Sequence, residues 1–259
     1  MSIFRLIARL DIKGKAVVKG VQMEGLRVLG NPADFARRYS RSGWELYYVD
    51  IVASLYGRNH FEELLDETTH DIHIPVTVAG GIRSYADAAR LLKAGADRVA
   101  VCTAAITNPD LIDEIAGSTG SQAITVEIAA KRRDGGWEAY TDGGRERSGR
   151  DALALAREAV RRGAGEIMLT SVDMEGTKRG FDCELIAALA RELPVPVIAG
   201  GGCGALDHIR AARAAGADGV SVASCLHYGI LTQEQIESGL KERAPECPSA
   251  RPGRSFYFF

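Results

Sequence analysis

The chain has 259 residues, of which 46% are hydrophobic and 25% charged, and its formal net charge is −2. This length and composition predict one large soluble domain. The near-neutral charge and the lack of about 18 consecutive apolar residues argue against a nucleic-acid partner and a membrane span. The five cysteines form no CxxC pair, and the amino terminus is unlike a signal peptide. Both features predict a cytoplasmic protein with reduced thiols and no metal site.

Short β-branched segments alternate with longer segments of helical periodicity along most of the chain. The predicted strands are 6–11, 45–51, 76–79, 98–101, 123–128, 166–170, 195–199 and 219–222. Amphipathic helices are predicted between most of them, for example at 34–42, 85–94, 151–162, 183–192 and 207–215. Eight strands joined by crossover helices predict an α/β fold, the (β/α)8 TIM barrel. The polar segments 13–27 and 132–147 are predicted as loops on its catalytic face.

The sequence also repeats itself at half its length. Segment 94–103 (AGADRVAVCT) recurs as 215–224 (AGADGVSVAS), and the turn at 77–81 (TVAGG) recurs at 197–201 (VIAGG). Because each copy contains a strand or its following turn, the repeat predicts two similar half-barrels, at about 1–118 and 119–244, within a single domain. The tail, 245–259, is predicted to be irregular.

Glycine-rich turns follow strands in both halves. The first half has 79–81 (AGG) and then a hydroxyl at Thr103, whereas the second has 199–202 (AGGG) and then Ser224. Free backbone N–H groups in such turns can hold phosphate. We therefore expect two phosphate sites on opposite sides of the barrel mouth and an elongated substrate with a phosphate at each end. The alternative is that these glycines only permit tight strand-to-helix turns.

Several ordered motifs between about Arg5 and Tyr228 are specific to one family. They include 7–13 (IARLDIK), 17–20 (VVKG), 79–82 (AGGI), 175–177 (EGT) and 199–202 (AGGG). In these motifs the chain resembles the HisF family, the cyclase subunits of imidazole glycerol phosphate synthase. The resemblance implies a (β/α)8 barrel that receives ammonia from a glutaminase (HisH-like) subunit at the barrel floor. It also implies conversion of a bisphosphorylated ribulosyl nucleotide to imidazole glycerol phosphate and aminoimidazole carboxamide ribotide, in histidine biosynthesis and without a cofactor.

The resemblance further implies roles for individual residues. Asp11 is expected to be one of two catalytic aspartates, acting as general acid or base, and Lys19 to help hold the substrate. The residues expected to line the site or bind phosphate are Asp50, Gly81, Thr103, Thr170, Ser171, Gly176, Gly202, Ala223 and Ser224. The charges expected to form an ammonia gate at the barrel floor are Arg5, Glu45, Arg98 and Glu166. A plain ion-pair plug at the floor is the alternative to a gate.

The chain departs from the family pattern at the end of the fifth strand. The second catalytic aspartate is expected in a pattern like IDAK, but the chain reads IAAK, so Ala129 takes its place. Arg9 stands where a small thiol is expected. Because side chains alternate along a strand, Arg9, Asp11, Glu127 and Ala129 should all point into the barrel. We predict a buried pair of Arg9 and Glu127 across the barrel, since either charge alone would be costly to bury. The alternative is that Glu127 reaches up and replaces the missing acid.

Four functions are compatible with these features. The first is the HisF-type cyclase, which the phosphate turns and Asp11 favour. The second is a divergent paralogue that delivers ammonia to another acceptor, such as a sugar in polysaccharide biosynthesis. The departures from the family pattern at Ala129, Arg9 and Cys102 favour it. At position 102 the family usually has asparagine. The third is a catalytically weak scaffold that binds a partner enzyme. The fourth is the single-chain isomerase of the same pathway, against which the floor charges argue. The sequence alone does not distinguish a natural Ala129 from one introduced by engineering.

Overall fold

The computed structural model describes residues 3–22, 24–52, 61–69 and 72–241. The predicted irregular tail, 245–259, lies outside the described residues. The strands, numbered in chain order, are β1 (Arg5–Lys13), β2 (Ala16–Val21), β3 (Glu24–Gly30), β4 (Glu45–Asp50), β5 (Val76–Ala79), β6 (Arg98–Val101), β7 (Ile124–Arg133), β8 (Gly136–Thr141), β9 (Glu146–Asp151), β10 (Glu166–Ser171), β11 (Val197–Gly200) and β12 (Gly219–Val222).

Eight of these strands form a closed parallel barrel. Their order around the barrel is β1, β4, β5, β6, β7, β10, β11 and β12, and β12 pairs in turn with β1. The predicted (β/α)8 barrel is confirmed. All eight strands overlap the segments that the β-branched runs predicted, with differences of a few residues at their ends.

Helices cover the outside of the barrel. They are α1 (Pro32–Ser40), α2 (Phe61–Thr69), α3 (Tyr85–Lys93), α4 (Thr103–Thr107), α5 (Asp110–Thr119), α6 (Ala152–Arg161), α7 (Cys183–Glu192), α8 (Leu206–Ala214), α9 (Ser224–His227) and α10 (Gln233–Lys241). The sequence sets where several of them begin and end. Ser84 and Asp87 form a capping box at the start of α3, and Asp151 caps α6. Gly95 follows the end of α3 with a positive φ of 110°, a backbone conformation that favours glycine.

The apolar core has two layers because strand residues alternate in direction. Outward-facing residues such as Leu46 and Val78 pack with the helices in the larger cluster. Inward-facing residues form a smaller cluster inside the barrel, with Ile7, Tyr47, Val49, Ala79, Ala100, Met168 and Ile198. This inner cluster lies between the amino ends of the strands and the mouth at their carboxyl ends, so it separates the barrel floor from the candidate site.

Two segments expected to be loops are instead β-hairpins. Strands β2 and β3 pair antiparallel within the segment predicted at 13–27. Strand β7 continues to Arg133 and pairs with β8, which pairs with β9, in the segment predicted at 132–147. The loop prediction was wrong because neither segment shows the apolar alternation of a half-buried strand: glycines and charges interrupt the apolar residues of 13–27, and 132–147 is largely polar. Asp134 and Gly135 both have positive φ and form a two-residue hairpin turn, a combination that the sequence does carry.

None of the helices in the described part of the chain has the length and apolar character that a membrane crossing requires. The same residues contain no group of three or more histidine, cysteine or acidic side chains arranged to hold a metal ion.

Candidate active site

A cavity of about 340 Å³ opens at the barrel mouth, where the strands end. Side chains from β1, β7 and the β2–β3 hairpin form its base, and the turns after β5 and β6 form one wall. Among the residues predicted from the sequence, those that line it are Arg9, Asp11, Lys19, Asp50, Gly81, Thr103, Glu127 and Ala129. Catalytic groups of (β/α)8 barrels lie at this end of the strands, so the cavity is the candidate active site.

A buried ion pair crosses the barrel at the base of this cavity. Arg9 is 5% exposed, and its Nη1 donates to Oε1 of Glu127 at 2.7 Å. The structure therefore brings together the two residues that were predicted to pair. The carboxylate of Glu127 also accepts hydrogen bonds from Thr170 Oγ1 and from Tyr47 Oη, both at 3.1 Å. Both of its oxygens are thus engaged, and it anchors Arg9 in this arrangement.

Asp11 lies between two cations. Its Oδ1 accepts from Arg9 Nε at 2.8 Å, and its Oδ2 accepts from Lys19 Nζ at 2.6 Å. Lys19, only 2% exposed, also bonds to Glu175. Burial alone would raise the pKa of Asp11, but the Lys19 ammonium and the Arg9 guanidinium hold it far below its usual range. The two cations therefore favour the carboxylate form of Asp11 and oppose its protonation.

The first glycine-rich turn forms part of the cavity wall. Gly80 and Gly81 have φ of 100° and 73°, and a Cβ on Gly80 would lie 2.4 Å from the carbonyl oxygen of Asp50. Only glycine fits this close approach. Two arginines that no sequence pattern had singled out, Arg83 and Arg145, also line the cavity. They bring positive charge to the same wall. The position of Arg83, directly after the AGGI motif, is the one signal in the sequence that points to it.

The second glycine-rich turn lies outside the cavity wall. Among the predicted residues, those absent from the described lining are Thr170, Ser171, Gly176, Gly202, Ala223 and Ser224. The β2–β3 hairpin packs over this region, with Gln22 N donating to the carbonyl of Glu175 at 3.0 Å. A Cβ on Gly176 would lie 2.8 Å from the carbonyl oxygen of Gly20. The two glycine-rich turns therefore differ: the turn after β5 lines the cavity, whereas the turn after β11 does not, and the hairpin packs on the neighbouring loop of Glu175 and Gly176.

The four charges at the floor of the barrel form one network. Arg5 bonds to Glu45 through two hydrogen bonds of 2.6 Å and also bonds to Glu166. Arg98 lies 3.4 Å from Glu45, and Thr125 donates to Glu166 at 3.2 Å. The network joins strands β1, β4, β6, β7 and β10 at their amino ends. It closes the floor with paired charges, an arrangement that fits both an ammonia gate and a structural plug.

The comparison with known protein families decides which family carries this site. The model of a family described as "Histidine biosynthesis protein" matches residues 5–232. The chain belongs to this family. Within it, the resemblance to HisF is confirmed by relatives named imidazole glycerol phosphate synthase subunit HisF.

Three of these HisF relatives show the extent of the match. The protein of Legionella pneumophila is 53% identical, over 80% of this chain and 99% of the relative. That of Myxococcus xanthus is 46% identical, over 92% of this chain and 95% of the relative. That of Pyrobaculum aerophilum is also 46% identical, over 93% of this chain and 97% of the relative. The match thus covers nearly the whole of each relative.

In this HisF-family chain a histidine supports the strand that carries Arg9. His227 Nδ1 accepts from Tyr39 Oη at 2.8 Å, and its Nε2 donates to the backbone carbonyl of Arg9 at 3.0 Å. The ring stacks on Tyr39 and meets the edge of Phe35. Burial, with a contribution from the Lys19 ammonium, lowers the pKa of His227 to about 4. No spacing pattern in the sequence marks this residue, because its partners come from distant segments.

The lowered pKa of His227 predicts a pH-dependent loss of stability. The unfolded chain protonates this histidine near pH 6.5 and the folded chain only near pH 4, so protons favour unfolding between these values. We expect His227 to cost up to about 3 kcal/mol of the free energy of unfolding as the pH falls from 6.5 to 4. Urea unfolding at pH 6.5 and at pH 4 measures this loss in the free energy of unfolding. His227→Gln, which keeps a donor and an acceptor but cannot titrate, should lack this part of the decline; an equal decline in both proteins would contradict the assignment.

Proposed function

We propose that the chain is the cyclase subunit of an imidazole glycerol phosphate synthase, acting in histidine biosynthesis. The observation that carries this proposal is the match to HisF subunits, 42–53% identical over most of the chain. The reaction proposed is the conversion of a bisphosphorylated ribulosyl nucleotide, with ammonia, to imidazole glycerol phosphate and aminoimidazole carboxamide ribotide. A duplicated set of glycine-rich turns at the barrel mouth suits a substrate with two phosphates.

The two phosphates would bind at different turns. Gly81 and Thr103 are open to the cavity and would hold one of them, with charge supplied by Arg83 and Arg145. The other would bind at the second glycine-rich turn and the loop beside it, through Gly176, Gly202, Ala223 and Ser224. Because the β2–β3 hairpin packs on the loop of Glu175 and Gly176, this second step requires the hairpin to withdraw and Lys19 to leave Glu175. Lys19 would then be free to bond to the substrate.

The ammonia would come from a glutaminase subunit bound at the barrel floor. The word "subunit" in the relatives' names supports a partner chain. The charge network of Arg5, Glu45, Arg98 and Glu166 lies at the floor, at the opposite end of the barrel from the cavity. We propose that this network is the entry for ammonia, and that one of its ion pairs opens when the partner binds.

One feature of the site favours a second candidate function. Ring closure requires proton transfers, yet Ala129 cannot transfer a proton, and Asp11 is held as a carboxylate by Arg9 and Lys19. A site with so little acid–base capacity suits a paralogue that delivers ammonia to another acceptor, such as a sugar in polysaccharide biosynthesis. A catalytically weak scaffold that binds a partner enzyme is the limiting case.

A turnover assay with ammonium separates the candidates. The purified chain is given the bisphosphorylated ribulosyl nucleotide and a high concentration of an ammonium salt, and the release of aminoimidazole carboxamide ribotide is followed. We expect slow turnover that Asp11→Asn abolishes. If the chain releases no product, and introducing an aspartate at position 129 does not produce turnover either, the cyclase proposal is wrong and the second candidate replaces it.

A further inference from the structure

One nitrogen of Arg9 is unused at the base of the cavity. Its Nε bonds to Asp11, and its Nη1 bonds to Glu127 and, at 3.3 Å, to Thr170. Among the described residues, Nη2 has no hydrogen-bond partner, and it is not among the fully buried unpaired atoms. Arg9 lines the cavity, and Nη2 is the guanidinium nitrogen that has hydrogen-bonding capacity left for a ligand there. A residue that is 95% buried, held by two carboxylates and left with one free donor group, is well suited to bind a ligand.

The charges around Arg9 decide what kind of ligand group it can bind. The connected cluster holds two cations, Arg9 and Lys19, against three carboxylates, Asp11, Glu127 and Glu175. It therefore already carries one excess negative charge. Another carboxylate or phosphate at Nη2 would meet this charge in a poorly solvated place and be repelled. A neutral oxygen acceptor, such as a carbonyl group, accepts the hydrogen bond without that cost.

We propose that Arg9 binds a carbonyl oxygen of the acceptor molecule through Nη2 and polarises that carbonyl. A guanidinium hydrogen bond draws electron density toward the oxygen, so the carbonyl carbon becomes a better target for ammonia. The C–N bond forms as the π pair of the carbonyl moves onto the oxygen. One proton of the ammonia nitrogen passes to that oxygen through water as the bond forms, which gives a neutral carbinolamine. Arg9 itself gives no proton in this step and assists through its charge and its hydrogen bond. The cavity would accordingly take a phosphorylated carbonyl compound, with its phosphate at the turn of Gly81 and Thr103 and its carbonyl at Arg9. This inference rests on the phosphate role of that turn, which the experiment tests separately.

Dihydroxyacetone phosphate, labelled at its carbonyl carbon, is a suitable probe because it carries both groups on a short chain. Infrared difference spectra of the bound probe report polarisation as a shift of the carbonyl band to lower frequency. We expect this shift with the original protein. We expect it to vanish in the double variant Arg9→Met, Glu127→Met, which removes a positive and a negative charge together. A hydrogen bond from a charged donor is worth enough that the dissociation constant of the probe should rise about tenfold or more.

Inorganic phosphate and a distant variant are the controls. The affinity for inorganic phosphate should be nearly unchanged in the double variant, because the phosphate turn is left intact. Arg157→Met, the same type of substitution at an exposed ion pair, should leave the carbonyl shift in place. Circular dichroism and thermal melting show that each variant is folded.

Each outcome has a distinct meaning. If the probe binds but its carbonyl band does not shift, or if the shift persists in the double variant, the role of Arg9 is refuted and the phosphate turn stands. If inorganic phosphate binds but the probe does not, the role of Arg9 is also refuted. If neither binds, the phosphate assignment falls, and the inference about Arg9 falls with it.

Discussion

Introducing aspartate at position 129 (Ala129→Asp) is expected to raise the cyclase turnover of this chain by about 10²–10⁴-fold, the usual contribution of one positioned proton-transfer group. Ala129 is buried, faces the cavity and lies on β7 beside Thr170 of β10. At the base of the cavity the carboxylates of Asp11 and Glu127 are paired with Arg9 and Lys19, so an aspartate at position 129 would add a carboxylate beyond these pairs. The measurement is the rate of product release with the bisphosphorylated nucleotide and ammonium, at several pH values.

Ala129→Asn is the matched control, since asparagine has nearly the same shape as aspartate but cannot act as a general acid or base at neutral pH. It should leave the rate at the level of the original chain. The aspartate variant should also introduce a new ionisation into the pH–rate profile. Equal rates in the two variants would mean that size or polarity at this position, and not acid–base chemistry, limits the reaction.

The barrel could be predicted from the sequence because its signals are local and repeated. Each predicted strand is a short β-branched run, and the glycine turns recur at half the chain length. The side chains that point into the barrel could be predicted because side chains alternate in direction along β1 and β7. This alternation led to the pairing of Arg9 with Glu127, which are 118 positions apart and lie 2.7 Å from each other.

The protonation of the site could not be predicted in this way. Lys19 lies in a segment that mixes charges and glycines with apolar residues, and nothing local indicates that it is 2% exposed. Its partner Glu175 is 156 positions away, on the loop after β10. The pKa of Asp11 depends on the hairpin that brings Lys19 over the mouth, and this hairpin was expected to be a loop. A polar segment can form a β-hairpin when one face of the hairpin packs on the protein and the other faces water. The order of residues along the sequence gives little indication of such a packing.

Some side chains of the site have neighbours that only the three-dimensional packing brings to them. Tyr47 and Thr170 complete the hydrogen bonds of Glu127 from two other strands. Burial and the Glu127 carboxylate raise the pKa of the Cys102 thiol to about 12, so this cysteine stays protonated and is a poor nucleophile. The expected acid–base role of Asp11 stays a prediction, and its two cationic partners oppose the protonation that this role requires.

The single substitution Arg9→Met is expected to lower the free energy of unfolding by about 3–5 kcal/mol, because it leaves Glu127 as a buried carboxylate without its cation. Asp11 would still have Lys19 as a partner, so most of the cost arises at Glu127. The single substitution Glu127→Met should be costly as well, since Arg9 would keep only Asp11. The double variant removes both members of the pair and should recover most of the loss, as apolar side chains of similar volume often replace buried pairs well. Urea unfolding of the four proteins gives the coupling energy directly.

The exposed pair of Arg157 and Glu192 provides a matched reference, because the same substitution there, Arg157→Met, should cost no more than about 1 kcal/mol. If Arg9→Met costs as little as this reference, the pair across the barrel contributes nothing to folding. If the losses of the two single variants simply add in the double variant, Arg9 and Glu127 act independently. Recovery in the double variant has a further consequence for function. It would mean that the pair is not required for a stable barrel, so that a loss of carbonyl polarisation in the same folded variant could be assigned to the missing guanidinium and not to a damaged fold.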